Sequence, residues 1–137
     1  GSVGIGKTHL LLVVANTLLK QSIPVVFVYV PDLIAELHQA QFVKDENKSL
    51  NAKIRKLGDV PVLILDDIGK EKITGWVQVQ YSRIINRRYI KQLPTLFSSN
   101  FNLDQISEMI GDHCASRLYS MTKGRQAYVV AEDYRIK

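Results

Sequence analysis

Two glycines, a lysine and a threonine at the start of the chain have a spacing suited to phosphate chemistry, Gly1-x-x-x-x-Gly6-Lys7-Thr8. In such a loop the glycines permit a tight strand-to-helix turn, so that backbone N–H groups and the helix N-terminus face phosphate oxygens. Lys7 would reach the outer phosphates, and the Thr8 hydroxyl would ligate magnesium. The alternative is an ordinary glycine-rich turn. The predicted nucleotide-binding residues of this segment are Gly1, Gly4, Ile5, Gly6, Lys7, Thr8 and His9.

Two adjacent carboxylates follow an apolar run in the segment VLILDDIGK, which looks like a Walker B strand. In an α/β sheet such a run is buried, and its carboxyl end opens onto the crevice where these folds bind ligands. Asp66 would then hold magnesium, directly or through water, and Asp67 would orient or deprotonate the attacking water. The alternative is an acidic strand end that starts a turn.

A polar amide ends the next apolar segment, LFSSN, in which Asn100 follows two serines. Because parallel strands align their carboxyl ends, Asn100 should face the same crevice as the two aspartates. It could contact the γ-phosphate or the attacking water. The alternative is an asparagine that starts a turn or caps the following helix.

The elements that must position these residues alternate along the chain. Apolar segments bounded by Pro, Gly and Asn alternate with helix-length amphipathic stretches, which predicts an α/β fold with a parallel sheet. The predicted strands are 24–30, 60–67, 94–100 and 126–134. The predicted helices are 8–21, 32–41, 47–58, 73–92, 103–110 and 112–121, and 42–49 is a surface loop.

Composition narrows the class of protein. The chain has 137 residues, 46% of them hydrophobic and 23% charged, which is typical of one soluble domain with a core. Its apolar runs are too short to span a membrane and none resembles a signal peptide, so a cytoplasmic protein with no membrane partner is expected. The single cysteine, Cys114, is interpreted as a packing residue.

Basic residues are concentrated in two segments, and the net charge of +5 suits an anionic partner. The long helix could use its cations on nucleic-acid phosphates, but a solvated face or a subunit interface is the favoured interpretation. The cations of this helix are Arg83, Arg87, Arg88 and Lys91. A second cluster consists of Lys53, Arg55 and Lys56, which by analogy could touch single-stranded nucleic acid.

The order of these parts resembles an AAA+ ATPase. The segments GSVGIGKTHL, PVLILDDIGKEKITGW, LPTLFSSNF, SRLYSM and EDYRIK are similar to the DnaC/DnaI helicase loaders and their IstB-like relatives, over essentially the whole chain. The resemblance implies a P-loop NTPase (AAA+) three-layer sandwich with a mostly parallel sheet, binding ATP and Mg²⁺. It makes Asn100 the sensor asparagine and Arg117 the arginine finger, with Arg135 as a further nucleotide-binding arginine. Structurally, either arginine could instead be a surface residue.

Two departures from the family pattern carry expectations of their own. AAA+ sheets have a strand before the phosphate loop, and that strand is missing here, so residues 1–137 are expected to be a single AAA+ domain truncated at its N-terminus, without the helicase-binding domain of loaders. Asp67 stands where many AAA+ proteins have Glu, and loaders tolerate this pair, so slow hydrolysis is expected.

The resemblance also implies what the protein acts on. It implies a replicative hexameric helicase as partner, together with single-stranded DNA and self-assembly into a ring or spiral with ATP. Nucleotide state would switch assembly and the opening of the helicase ring. Two alternatives stay open: an IstB-like transposition helper that acts on duplex DNA, and a nucleotide-binding scaffold that does not hydrolyse ATP.

Overall fold

The predicted strands that end at the candidate site form a parallel sheet in the computed structural model, which describes residues 6–69 and 73–122. The strands are β1 (Val25–Tyr29), β2 (Val62–Ile68) and β3 (Thr95–Ser99). In the described part of the chain β2 lies between β1 and β3. The helices there are α1 (Lys7–Lys20), α2 (Val30–Ala40), α3 (Leu50–Asp59), α4 (Gly75–Lys91), α5 (Leu103–Ile110) and α6 (Asp112–Thr122), with a short 3₁₀ turn at Glu46–Lys48.

The α/β fold predicted from the sequence is confirmed, with differences at element boundaries. The first three predicted strands match β1, β2 and β3 to within one or two residues at each end. The predicted helix 47–58 is wrong in its first turn, because Ser49 caps α3 by accepting a hydrogen bond from the backbone N–H of Ala52. The predicted strand 126–134 lies outside the described residues, as do Gly1, Gly4, Ile5 and Arg135.

The sheet is covered by helices on both faces because its strands are apolar on both sides. Along β2, Leu63 and Leu65 pack into a cluster with residues of α2, α3, α4, α5 and α6. Val62 and Ile64 pack into a second cluster with α1. Alternation along a strand sends successive side chains to opposite faces, so these two clusters are the two interfaces of a three-layer arrangement.

Helix α1 packs on the sheet through one narrow apolar stripe. Leu11, Ala15 and Leu18 recur at a spacing that places them on one helix face, and all three contact the second cluster. This packing holds the first turn of α1, which carries Lys7 and Thr8, near the ends of the strands.

Arg88 on α4 is buried, which contradicts its assignment to a basic helix face open to nucleic acid or solvent. Its side chain is 0% exposed. The guanidinium donates hydrogen bonds at 2.7–2.9 Å to the carbonyls of Leu57, Val60 and Pro94 and to the hydroxyl of Thr95. Burial lowers the pKa of Arg88 to about 10, which leaves the group charged at pH 7. Arg88 therefore joins the end of α3 to the beginnings of β2 and β3.

The other cations of α4 lie nearer the surface, as the favoured interpretation of a solvated face predicts, but they are paired within the chain. Arg87 donates two hydrogen bonds to the Asp59 carboxylate, at 2.6 and 2.8 Å, and Lys91 donates a third at 2.6 Å. These cations hold the pKa of Asp59 well below its usual range. Arg83 donates to the side chain of Asn51 at 2.6 Å. The exposed part of α4 thus serves to attach this helix to α3.

The single cysteine, Cys114, lies in the protein interior. Cys114 is buried in the core, which confirms its interpretation as a packing residue, and burial raises the pKa of its thiol to about 11. A thiol with that pKa stays protonated at neutral pH and is a poor nucleophile.

Within residues 6–69 and 73–122, none of the helices has the length and apolar character needed to cross a bilayer.

Candidate nucleotide-binding site

The start of α1 and the carboxyl ends of β2 and β3 meet at one edge of the sheet. The Thr8 hydroxyl donates a hydrogen bond to Asp66 Oδ2 at 2.8 Å. The Lys7 ammonium donates to Asn100 Oδ1 at 2.6 Å. The structure therefore brings together four of the residues that the sequence assigned to one site, although they come from three distant segments. Their chemical roles stay predictions.

The first turn of α1 has the features of an anion-binding helix terminus. Gly6 precedes the helix with φ of 84°, a left-handed conformation that glycine adopts without strain. In the described part of the chain no side chain caps this terminus, and its first turn has no acidic residue. Backbone N–H groups at such a terminus suit phosphate oxygens. His9 lies exposed in the same turn.

Asp66 is a buried carboxylate whose two oxygens have different neighbours. Its side chain is 2% exposed, Oδ2 accepts from Thr8, and Oδ1 accepts from the Ser98 hydroxyl at 2.6 Å. Both partners are neutral, and a buried charge is costly unless a counter-charge is close. A hard divalent cation beside Oδ2 and the Thr8 hydroxyl would supply that counter-charge.

The oxygen ligands offered by Thr8 and Asp66 suit Mg²⁺ better than they suit a metal ion whose ligands all come from the protein. Among the described residues there is no group of three or more His, Cys, Asp or Glu side chains that could hold a metal ion. Mg²⁺ is typically bound by one or two protein oxygens, with substrate phosphates and water completing its shell. Thr8 and Asp66 together match that requirement.

Asp67 lies in a β-bulge beside Asp66. Leu65 pairs with Phe97 and Ile68 pairs with Ser99, so two residues of β2 stand opposite the single residue Ser98. Asp67 has φ of 66°, which is uncommon for a residue other than glycine but is tolerated by Asp and Asn. Its backbone N–H donates to the Ser98 hydroxyl at 2.9 Å. Bulges of this kind are frequent next to active sites, where they redirect a side chain.

Asn100 does not cap the helix that follows it. Asn102 takes that position: its side chain accepts from the backbone N–H of Gln105, whose side chain accepts in return from the backbone N–H of Asn102. The alternative interpretation of Asn100 as the helix cap is therefore wrong. Asn100 is exposed at the end of β3, in contact with Lys7.

Arg117 is a half-buried residue of α6, and its exposure leaves both interpretations of it, arginine finger and surface residue, untested. Its guanidinium donates a hydrogen bond to the side chain of Asn86 on α4. The same group lies over the Tyr89 ring, 5.5 Å from the ring centroid. Both contacts restrict the guanidinium to one orientation between α4 and α6. The role of Arg117 as an arginine finger stays a prediction, because these contacts do not test it.

A family model described as IstB-like ATP binding protein matches residues 1–120. The chain belongs to this family of IstB-like ATP-binding proteins. Among curated proteins, the chain is 37% identical to the replicative helicase loader DnaI of Bacillus subtilis (strain 168) over 107 residues. The match covers 77% of this chain and 33% of DnaI, so the chain spans about a third of that relative.

Solved structures place the fold of this family member among the AAA+ ATPases. A crystal structure of the DnaC helicase loader matches with a TM-score of 0.76 and 28% identity, covering 88% of this chain and 71% of that one. AMPPCP-bound DnaA from Aquifex aeolicus matches with a TM-score of 0.71 and 25% identity, covering 88% of this chain and 36% of that one. The predicted resemblance to the loaders and the predicted P-loop fold are confirmed.

Sequence reasoning assigned no role to three residues that contact the site or its candidate arginine. Ser98 joins Asp66 to Asp67, while Asn86 and Tyr89 hold Arg117. The doublet of serines before Asn100 was a visible signal for Ser98, because a hydroxyl near the end of a buried strand needs a polar partner. The contacts of Arg117 depend on how α4 packs against α6 and had no comparable signal.

Proposed function

We propose that this chain is the ATP-binding and ATP-hydrolysing module of a replicative helicase loader. The observation that carries the proposal is the junction at the sheet edge, where Thr8 meets Asp66 at 2.8 Å and Lys7 meets Asn100 at 2.6 Å. Phosphate binding, a metal-binding carboxylate and a polar sensor are parts that ATP hydrolysis uses, and the contacts among the four residues proposed for these tasks support the proposal.

In this proposal each side chain has a separate task. Lys7 and the N–H groups at the start of α1 bind the phosphates, and the Lys7 contact with Asn100 marks where the terminal phosphate would lie. Thr8 and Asp66 hold Mg²⁺, which supplies Lewis-acid stabilisation of the phosphate charge when bound. Asp67 orients the attacking water, and Asn100 contacts the γ-phosphate or that water.

The conformation of Asp67 supports a slow enzyme. A short acidic side chain tolerates a φ of 66° better than a longer one, so Asp suits this bulge where a Glu would be strained. The same short side chain reaches less far towards a water molecule. We therefore expect turnover that is limited by water activation, as befits a protein that uses hydrolysis to change its assembly state.

The partners in this proposal follow from the relatives. DnaI and DnaC are named as helicase loaders, and another structural neighbour is DnaA bound to AMPPCP and single-stranded DNA, with a TM-score of 0.66 and 26% identity. By analogy, the protein binds a replicative hexameric helicase and single-stranded DNA, and assembles with ATP into a ring or spiral. Arg117 would then serve the nucleotide of a neighbouring copy, and Arg135 would contact nucleotide as well.

Hydrolysis is tested by separating it from binding. Asp67→Asn in the full-length protein should bind ATP as the wild type does while turnover falls about 10²- to 10⁴-fold. Asn keeps the tolerance for a left-handed conformation, so the backbone is undisturbed. The control is Asp104→Asn, which makes the same chemical change at an exposed position in the first turn of α5. An equal fall in affinity and rate would refute the assigned role of Asp67, and undetectable wild-type turnover would favour the non-hydrolysing scaffold.

The loader is distinguished from the transposition helper by its partner. With ATP present, the full-length protein should form a complex with its replicative helicase that sizing chromatography or light scattering detects, and single-stranded DNA should increase its assembly. The DNA effect should weaken as salt rises, because phosphate contacts release counterions. Assembly on duplex DNA with no helicase complex would favour the transposition helper.

A further inference from the structure

We infer that Ser98 is a positioning residue of the nucleotide site, whose hydroxyl fixes both the Asp66 carboxylate and the backbone of Asp67. The inference rests on the proposed function, since it assigns Ser98 a task within that site. Ser98 lies in β3 and is 8% exposed. Its hydroxyl donates to Asp66 Oδ1 at 2.6 Å and accepts from the Asp67 N–H at 2.9 Å.

The first of these bonds sets the direction of the metal-binding oxygen. A serine hydroxyl has one proton to donate, and here that proton goes to Oδ1 of Asp66. With Oδ1 held on the Ser98 side, Oδ2 faces Thr8. The terminal torsion of an aspartate is otherwise broad, so a free carboxylate would rotate and present Oδ2 in many directions. Ser98 thus orients Oδ2 for binding Mg²⁺, as the hydrogen-bond partners of metal ligands commonly do.

The second bond supports the bulge. An extra residue in one strand interrupts the hydrogen bonds of the ladder, and its backbone groups need other partners. The Ser98 hydroxyl provides an acceptor for the Asp67 N–H. It therefore helps to hold Asp67 at φ of 66°. One side chain in this way couples the metal ligand to the residue proposed to orient water.

The neighbouring residue Ser99 offers a matched comparison. It is also buried, at 7% exposed, and its hydroxyl likewise both donates and accepts a hydrogen bond. It donates to the backbone carbonyl of Ile68 at 2.6 Å and accepts from the backbone N–H of Phe101 at 3.1 Å. Replacing either serine by alanine removes one buried hydroxyl from β3, but the Ser98 change also removes a hydrogen bond to Asp66.

The test measures the Mg²⁺ concentration that half-saturates binding of a fluorescent ATP analogue to the full-length protein. Ser98→Ala should raise that concentration about 10- to 100-fold, the usual effect of losing a partner of a metal ligand. Ser98→Thr keeps the hydroxyl and should stay within about threefold of the wild type. Ser99→Ala should also stay within about threefold, even where its unfolding midpoint falls as far as that of Ser98→Ala.

Several outcomes would overturn the inference. A Mg²⁺ requirement in Ser98→Ala equal to that of the wild type would do so, and so would an equal rise in Ser99→Ala, which would indicate general loosening of β3. If Ser98→Ala does not fold, Ser98→Cys, with a weak donor of similar size, should show a smaller rise in the same direction. A wild-type protein without Mg²⁺-dependent nucleotide binding would instead refute the proposed function, and the inference with it.

Discussion

Replacing Arg88 by methionine should destabilise the fold without removing a contact to nucleic acid. Methionine replaces the apolar stem of the arginine side chain but has none of its donors. The change leaves the carbonyls of Leu57, Val60 and Pro94 without the hydrogen bonds of 2.7–2.9 Å that Arg88 provides. The helix α3 and the first residues of β2 and β3 then lose their common attachment.

The size of the effect follows from two opposing terms. Leaving a buried acceptor without a partner costs about 1–3 kcal/mol, so the Leu57 and Val60 carbonyls would cost about 2–6 kcal/mol, whereas the Pro94 carbonyl keeps the hydrogen bond from the Leu63 N–H. Removing a buried charge returns several kcal/mol of desolvation energy. The net loss in the free energy of unfolding should be about 2 kcal/mol, which is a substantial share of the 5–15 kcal/mol typical of a domain.

Urea unfolding at pH 7, followed by circular dichroism, measures this loss directly. The control is Arg83→Met on the same helix, where the guanidinium is less buried and donates to the side chains of Gln80 and Asn51. It should change the free energy of unfolding by less than about 1 kcal/mol. A loss below about 1 kcal/mol for Arg88→Met, or a normal stability with weakened DNA binding, would refute the structural role of Arg88.

Three further predictions concern the backbone, pH and assembly. Gly69→Ala should lower stability by about 1–3 kcal/mol, because the new Cβ would lie 2.8 Å from the Phe101 ring at φ of +97°, whereas Gly75→Ala meets no atom within 4 Å and should not. Arg87 and Lys91 lower the pKa of Asp59 in the folded state. The difference in free energy of unfolding between the wild type and Asp59→Asn should therefore shrink as pH falls below the ordinary carboxyl pKa of 3.8, as urea unfolding at each pH would measure. Inactive Arg117→Ala and Lys7→Ala proteins should recover ATPase activity when mixed, and no recovery despite co-assembly would remove Arg117 as a finger acting between copies.

The meeting of distant residues at the sheet edge was predictable because it follows from topology. The apolar run before Asp66 indicated a strand buried on both faces, and parallel strands place their carboxyl ends at the same edge. From these two rules alone, Asp66 and Asn100 had to lie near the phosphate loop. The contacts from Thr8 to Asp66 and from Lys7 to Asn100 confirm that expectation.

Arg88 was misassigned although the sequence held a signal. Val77, Tyr81, Ile84 and Arg88 recur at helical spacing, so Arg88 belongs to the buried stripe of α4 rather than to its surface. The net charge suggested a surface role for Arg88, whereas the periodicity of its neighbours indicated burial. Charge alone says little about the side on which a helix residue lies.

The bulge at Asp67 could not be predicted, because it depends on pairing between strands. Nothing in the local residues shows that two positions of β2 stand opposite Ser98. The conformation of Asp67 and the double task of Ser98 both follow from that register. Long-range register is set by packing of the whole sheet, so a segment read by itself does not contain it.

The central claim is that the start of α1 binds the phosphates of ATP. Isothermal titration calorimetry with a non-hydrolysable ATP analogue in the presence of Mg²⁺ tests this claim most directly. Lys7→Ala should weaken binding by at least about 10- to 100-fold, since it removes a charge-assisted contact to phosphate. Lys20→Ala, which removes an exposed lysine from the last turn of the same helix, should bind as the wild type does. Equal affinity in the wild type and Lys7→Ala would contradict the account.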